Sequence, residues 1–259
     1  MRNELDYWRT QLSRSIAPLP VDPLSNGRGG GCALWLSAEE TKVLVYDVPR
    51  VYGTEINDVL LTALVRAFAK WTGSRSLLVD LVSHGRDPLF PDVDLSRTVG
   101  WLASFFPVVL DLGEADGPAE ELRAIKEQLR RIPRRGLGYT VLRYVSQDPE
   151  VVDELRSLPQ PQVRFNYVGV QSSASTLFST QESFARLPIS SERGMLVLRK
   201  EEEESELLVT GHLSQGQLRM VFFSGKVVRD PAIMERLARN YLEALDTIIA
   251  SCRSVSSGS

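Results

Sequence analysis

Histidine and cysteine are the scarcest chemistry-bearing residues of this chain, with two of each in 259 residues. Cys32 and Cys252 stand near opposite ends, which excludes a disulfide framework and the paired spacing of a zinc site. Positive charge is not in surplus either: the net charge is −3, so there is no polybasic face and nucleic acid is not an expected partner. No apolar run approaches the length that spans a bilayer. The N-terminal MRNELDYWRTQL lacks the apolar centre of a secretory signal, so no membrane partner and a cytoplasmic setting are expected. Ser83, Ser96 and Ser104 have no histidine at a recognisable spacing, which leaves a serine-hydrolase reading without support.

What is present is an ordinary globular composition, 43% hydrophobic and 24% charged, in a chain long enough to bury a large core. Leu5, Trp8 and Leu12 mark one face of a short helix, and a Pro/Gly/Asn-rich connector follows to Gly31. Cys32–Leu36 reads as a strand. Ser37 and Glu40 form a capping box for a helix expected to end near Pro49. The strongest helix is Thr54–Trp71, with Thr54 as its expected cap and Leu60, Leu64, Phe68 and Trp71 along one face. Pro118 and Pro149, each just after an acidic turn, open two further helices. Strands are predicted over Leu77–Leu81, Phe105–Leu110, Gln162–Val168, Met195–Leu198, Leu207–Leu213 and Leu218–Phe223. The last two are joined at Gln215-Gly216, and a final helix starts at Asp230-Pro231. The fold class expected is α+β, a layered sandwich with a mixed β-sheet flanked by helices. Residues 1–250 form one unit (1–31 a leading helix and connector), and 251–259 read as a flexible tail or an appended remnant.

One stretch is too polar for a core segment. Between two apolar strands, residues 82–104 carry His84, Arg86, Asp87, Asp92, Asp94, Arg97 and Trp101. A polar loop set on rigid strands is where function concentrates.

Four segments occur in a recognisable order: INDVLLTAL from Ile56, SHGRDPLFPDVDLSRTVGWLASFFPV from Ser83, GLGYTVLRY from Gly136 and FNYVG from Phe165. Each alone is a weak match; together they resemble the C-terminal lobe of a condensation-type domain of nonribosomal peptide synthetases, in the epimerization subclass. The resemblance implies one lobe of the chloramphenicol acetyltransferase-like (CoA-dependent acyltransferase) fold, with a tunnel shared with an N-terminal lobe. A peptidyl carrier protein would send its 4′-phosphopantetheine arm, loaded with an aminoacyl or peptidyl thioester, into that tunnel. No cofactor of the chain's own is implied.

Two departures qualify that reading. The family's His-His-x-x-x-Asp-Gly motif belongs to the other lobe, and this chain has only His84 and His212, which are not adjacent. Removal of an α-proton needs a base within hydrogen-bond reach, so the isolated lobe is expected to be inactive. Where epimerization domains carry the glutamate of Glu-Gly-His-Gly-Arg-Glu, this chain has Val82, which cannot carry a proton. The chain is then half of an epimerization or condensation domain, or a non-catalytic module that docks carrier proteins.

The expected tunnel-lining residues are His84, Arg86, Asp87, Arg97, Trp101, Asn166 and Tyr167. For His84 the competing reading, a histidine that ties the loop to its own backbone, is favoured. Arg86 and Asp87 read more readily as members of an ion-pair network with Asp94 and Arg97. Trp101 is tunnel wall or core packing with equal weight. Asn166 and Tyr167 are expected to face the tunnel together as hydrogen-bond donors. Arg134 and Arg135, with Arg130 and Arg131, are either a contact for the arm's phosphate and the carrier protein or a solvated helix end. Without its mate, the tunnel face should be apolar and exposed and should drive dimerisation.

Overall fold

The computed structural model describes residues 2–14, 16–20, 30–86, 92–95, 97–100, 102–170, 192–198, 207–224, 228 and 230–257. A 3₁₀ turn at Arg2–Glu4 leads into α1 (Leu5–Leu12), whose Trp8 and Leu12 are buried. After β1 (Gly30–Trp35), Ser37 caps α2 (Ala38–Lys42) with Glu40 closing the reciprocal bond, as the capping box predicts. The helix does not stop at Pro49. A π-turn over Val43–Asp47 resets the register, so Pro49 falls in the first turn of α3 (Val48–Tyr52), where its missing N–H costs nothing.

The long helix α4 (Ile56–Thr72) is buried on most of its surface. Its cap is not Thr54: the Glu55 N–H donates to the Asp58 carboxylate at 2.8 Å, while the Thr54 hydroxyl is buried without a hydrogen bond. A carboxylate one turn in satisfies the end better than a neutral hydroxyl because the helix dipole favours it.

Strands β2 (Ser76–Ser83) and β3 (Ser104–Asp111) pair antiparallel along their whole length, from Ser76↔Asp111 to Ser83↔Ser104. Next come α5 (Pro118–Arg130), a 3₁₀ turn (Pro133–Gly136), α6 (Leu137–Thr140), a second π-turn (Val141–Val145), α7 (Pro149–Ser157) and β4 (Val163–Val170). The chain closes with β5 (Gly194–Leu198), β6 (Leu207–Ser214), β7 (Gln217–Ser224) and α8 (Pro231–Ser257). Residues 251–257, expected as tail, are the last turns of α8, anchored by Cys252 in the core.

Among the described residues the strands form one seven-stranded sheet in the order β3-β2-β4-β6-β7-β1-β5. It is mixed: β2, β4 and β6 run parallel to one another and the other neighbours are antiparallel. Parallel neighbours require crossovers, and α5 to α7 supply the one between β2–β3 and β4.

The main core joins the sheet to α1, α4, α5, α7 and α8. Tyr241 of α8 packs edge-on against Phe222 at 5.2 Å between centroids and donates its hydroxyl to the Leu60 carbonyl of α4 at 3.2 Å. Strand alternation then sorts the residues. Leu81, Phe165, Val209, Met220 and Phe222 face the helices. Ala33, Trp35, Leu208, Val221 and Phe223 face the other way and form a second, small apolar cluster.

Candidate functional site

Because β2, β4 and β6 are parallel, their C-terminal ends meet at one end of the sheet. This brings together Val82, the residues after Ser83, and Asn166 and Tyr167, which lie far apart in sequence. Asn166 stands opposite Thr210 and Tyr167 opposite Gly211. The β2–β4 ladder runs only from Val79↔Val163 to Leu81↔Phe165, although both strands continue.

The loop that leaves β2 is held by its own backbone. His84 accepts the Arg86 N–H on Nδ1 at 3.0 Å, and Arg86 reaches the carbonyls of Leu95 (2.7 Å), Thr98 (2.9 Å) and Gly100 (3.5 Å). Arg86 is therefore a loop staple bonded to these carbonyls, and its expected pairing with Asp87 lies outside the described residues. Gly85 adopts φ +67, and a Cβ there would sit 1.8 Å from the Leu102 carbonyl oxygen, so the turn tolerates only glycine. His84, Arg86 and Arg97 are exposed. Asp87 and Trp101 lie outside the described residues.

Beneath the loop, on the face away from the helices, Asp80 is buried and accepts from Arg164 Nε at 2.9 Å. Burial pushes its carboxyl above the usual carboxylate range, and the Arg164 guanidinium offsets only part of that rise. Arg164 also lies over the Phe105 ring, 5.0 Å from its centroid. One step outward on the same strands stand Val82 and Asn166, both half-buried.

Asn166 and Tyr167 do not face one way. Tyr167 packs against the main core on the helix side, where burial drives its phenol up to about 12, whereas Asn166 points to the opposite face. Alternation along a strand forbids both from lining one face, and only the parting of the strands keeps both near the same edge.

Further along that face lies a pair that no sequence motif marks. His212 and Arg219 are cross-strand neighbours on β6 and β7, and both are buried. Burial, then the Arg219 charge, pushes His212 down to about 4, so it is neutral near pH 7. Arg219 reaches the Gln217 side-chain oxygen at 3.3 Å. The signal available in the sequence was a charged and a titratable residue within two apolar strands.

The four arginines, read either as one contact or as a solvated helix end, are spread over different partners. Arg130 bonds Asp58 at 2.9 Å and sits 3.5 Å from Glu55, so it completes the start of α4. Arg131 pairs with Glu127 at 3.6 Å and Arg134 with the nearly buried Glu4 at 3.3 Å. Arg134 and Arg135 both take left-handed backbone angles (φ 46 and 50), followed by Gly136 at φ 86. Two non-glycine residues in that region cost about 1–3 kcal/mol each, held here by the packing of Gly136 against the Phe106 ring. Among the described residues, no group of three or more His, Cys, Asp or Glu could hold a metal ion, and no helix is long and apolar enough to cross a membrane.

With this geometry in view, the family profile called Condensation domain matches residues 1–257. The chain belongs to the condensation-domain family. One of the linear gramicidin synthase proteins of Brevibacillus parabrevis is 37% identical over 261 residues, covering 98% of this chain and 5% of that protein. Tyrocidine synthase 1 of the same organism is 37% identical over 262 residues, covering 96% of this chain and 24% of that protein. Surfactin synthase subunit 2 of Bacillus subtilis strain 168 is 33% identical over 254 residues, at 96% and 7%. A crystal structure of the epimerization domain from the third module of tyrocidine synthetase B superposes with a TM-score of 0.78 at 28% identity, over 97% of this chain and 56% of that one. The condensation-family chain thus spans a small part of these synthetases and about half of that crystallised domain. Its α+β sandwich, a mixed sheet flanked by helices, is the chloramphenicol acetyltransferase-like fold expected.

Proposed function

We propose that this chain is the C-terminal lobe of an epimerization-type condensation domain, with residues 1–250 as that lobe and an N-terminal lobe as its obligate partner. The observation that carries the reading is the single sheet end at which Val82, the His84–Arg86 loop and Asn166 converge. The match of nearly the whole chain to 56% of an epimerization domain supports the same division. In this reading a peptidyl carrier protein presents an aminoacyl or peptidyl group on its phosphopantetheine arm, and the domain acts at the α-carbon beside the thioester. Asn166 is the donor toward a developing enolate oxygen. Arg134, which keeps its ion pair with Glu4, and Arg135, both exposed on a strained turn, are the contact for the arm's phosphate or the carrier's acidic face.

The lobe is inactive alone. Its buried His212 lies inside the sheet face, and His84 is engaged with its own loop, so neither is placed as an α-proton base. Val82, at the position of the subclass glutamate, removes the second proton carrier. Val168 and Val170, exposed at the end of β4, belong to the surface that the partner lobe covers and through which the lone lobe dimerises.

The test is exchange of the α-proton of a carrier-bound aminoacyl thioester into deuterated water. The expected result is no exchange with the chain alone and measurable binding of loaded carrier protein. Exchange by the isolated chain would end the reading. The second reading, a non-catalytic docking module, is favoured by Val82 itself; it predicts carrier binding and no exchange even with the N-terminal lobe supplied.

A further inference from the structure

Buried carboxylates elsewhere in the chain are well compensated. Glu121 meets both Arg66 and Arg75, and Asp58 meets Arg130 while it accepts the Glu55 N–H. Glu4 is different. It is nearly buried, yet among the described residues its ion pair is a single contact, Oε1 to Arg134 Nε at 3.3 Å, and Oε2 is buried without a hydrogen bond. Glu4 also stands at the N-cap of α1 and makes no side-chain cap bond there. A carboxylate that leaves its own helix uncapped and is half compensated adds little to stability, so its role lies in what it holds.

What it holds is Arg134. That side chain is half exposed, on the left-handed turn over Arg134 and Arg135, and no second carboxylate pairs with it among the described residues. A guanidinium bonded through Nε keeps its two terminal nitrogens for another anion, and their spacing matches two oxygens of a phosphate. A loose arginine loses much of its rotamer freedom when it binds; one already pinned has less to lose. The Glu4 charge opposes an arriving phosphate from behind the guanidinium. At a half-exposed site that repulsion is screened, so pinning is the larger effect. The pin itself is rigid. Trp8 and Leu12 fix α1 in the core, and Arg9 holds the Glu154 carboxylate with two nitrogens. Gly138 of α6 leaves room for the Glu4 carboxylate: a Cβ there would stand 1.7 Å from Oε2.

We propose that Glu4 is the positioning residue of the arginine contact: from the buried side it orients Arg134 so that the guanidinium end faces a phosphate ester at the 134–135 turn. The proposal rests on the reading of that turn as the contact for the arm's phosphate and adds the residue that sets its affinity. By linkage the coupling runs both ways, so phosphate bound at the turn holds the first turn of α1 in place.

The experiment uses the full chain and 4′-phosphopantetheine at fixed ionic strength, with amide chemical shifts at residues 134–137 as the measure of binding. Hydrogen exchange at Trp8 and Arg9, whose N–H groups bond back to the first turn of α1, reads the coupling. Phosphopantetheine is expected to bind and to slow exchange at Trp8 and Arg9; pantetheine, which lacks the phosphate, should do neither. Glu4→Ala should weaken binding about tenfold, the freedom regained by one long side chain. Glu4→Gln keeps an acceptor for Nε and should restore binding to within about twofold of the wild type. Gly138→Ala pushes the carboxylate aside with both charges kept; it should weaken binding as Glu4→Ala does, with exchange in β1 and β7 unchanged. Equal binding by the wild type and Glu4→Ala, or no rescue by Glu4→Gln, would overturn the positioning role and leave the phosphate contact standing. So would binding that leaves Trp8 and Arg9 unchanged. If the wild type shows no response at 134–137, the phosphate contact falls and the positioning role falls with it.

Discussion

The two faces of the sheet are built to different rules. Toward the helices, Leu81, Phe165, Val209, Met220 and Phe222 are closed over by α4 and α8, and Leu218, Met220 and Phe222 of β7 are all buried there. Toward the other face, the same strands carry Asp80, Arg164, Asn166, Thr210, His212 and Arg219. A sheet needs one apolar face to fold; it does not need buried charge on the second. Groups that cost free energy to bury, gathered on one side and toward one end, mark the side where chemistry or a partner sits.

That contrast can be broken or sharpened by experiment. The largest effect is expected in the two-lobe protein, where Val82→Glu should raise α-proton exchange above the wild-type level. If exchange does not rise, the missing carboxylate at position 82 does not limit the site. Next, Phe222→Ala on the helix-backed face should cost about 3–5 kcal/mol in chemical denaturation, the cost of truncating a buried aromatic. A loss under about 1 kcal/mol there would mean the two faces do not differ as described.

The polar face should show itself through pH. His212 has a folded-state value of about 4 against 6.5 for the free side chain, so the unfolded chain binds its proton first. The stability it contributes is therefore intact above pH 6.5 and is lost as pH falls through that window toward 4. With allowance for solvent screening, this amounts to about 2 kcal/mol, read as the difference between the pH profiles of the wild type and His212→Gln. Parallel profiles would remove His212 from the account. Tyr241→Phe, which deletes one buried hydrogen bond to Leu60 and keeps the ring, should cost about 1 kcal/mol. Smallest of all, Asn166→Ala should change stability by less than about 0.5 kcal/mol, since the side chain is half-buried, while weakening any response to loaded carrier.

Much of the scaffold was legible because it follows local rules. The period of Leu60, Leu64 and Phe68 marks α4, Ser37 and Glu40 mark the cap of α2, and Gln215-Gly216 takes the two positive φ angles of a tight hairpin turn. The misses have local causes too. Pro49 has the look of a stop and is a start, because a π-turn comes before it. The segment from Leu137 to Val145 forms α6 and a π-turn although Gly138 and the β-branched Thr140, Val141 and Val145 lower its propensity; burial of Tyr139 against Trp8 overrides that. The polar loop was legible as functional ground, but its wiring was not. Arg86 binds three carbonyls because the loop folds back on itself, and nothing in the residue order tells a carbonyl acceptor from Asp94.

Residue order alone determined where most of the helices and strands lie, which face of each is apolar, and that the chain lacks an adjacent histidine pair, because spacing and residue identity are written along the chain. Only the tertiary structure decided that β2, β4 and β6 run parallel, that their ends gather Val82 and Asn166, and that β2 and β4 then separate. Strand order and register are set by how whole surfaces pack against α4 and α8, a sum over contacts distant in sequence that no single segment specifies.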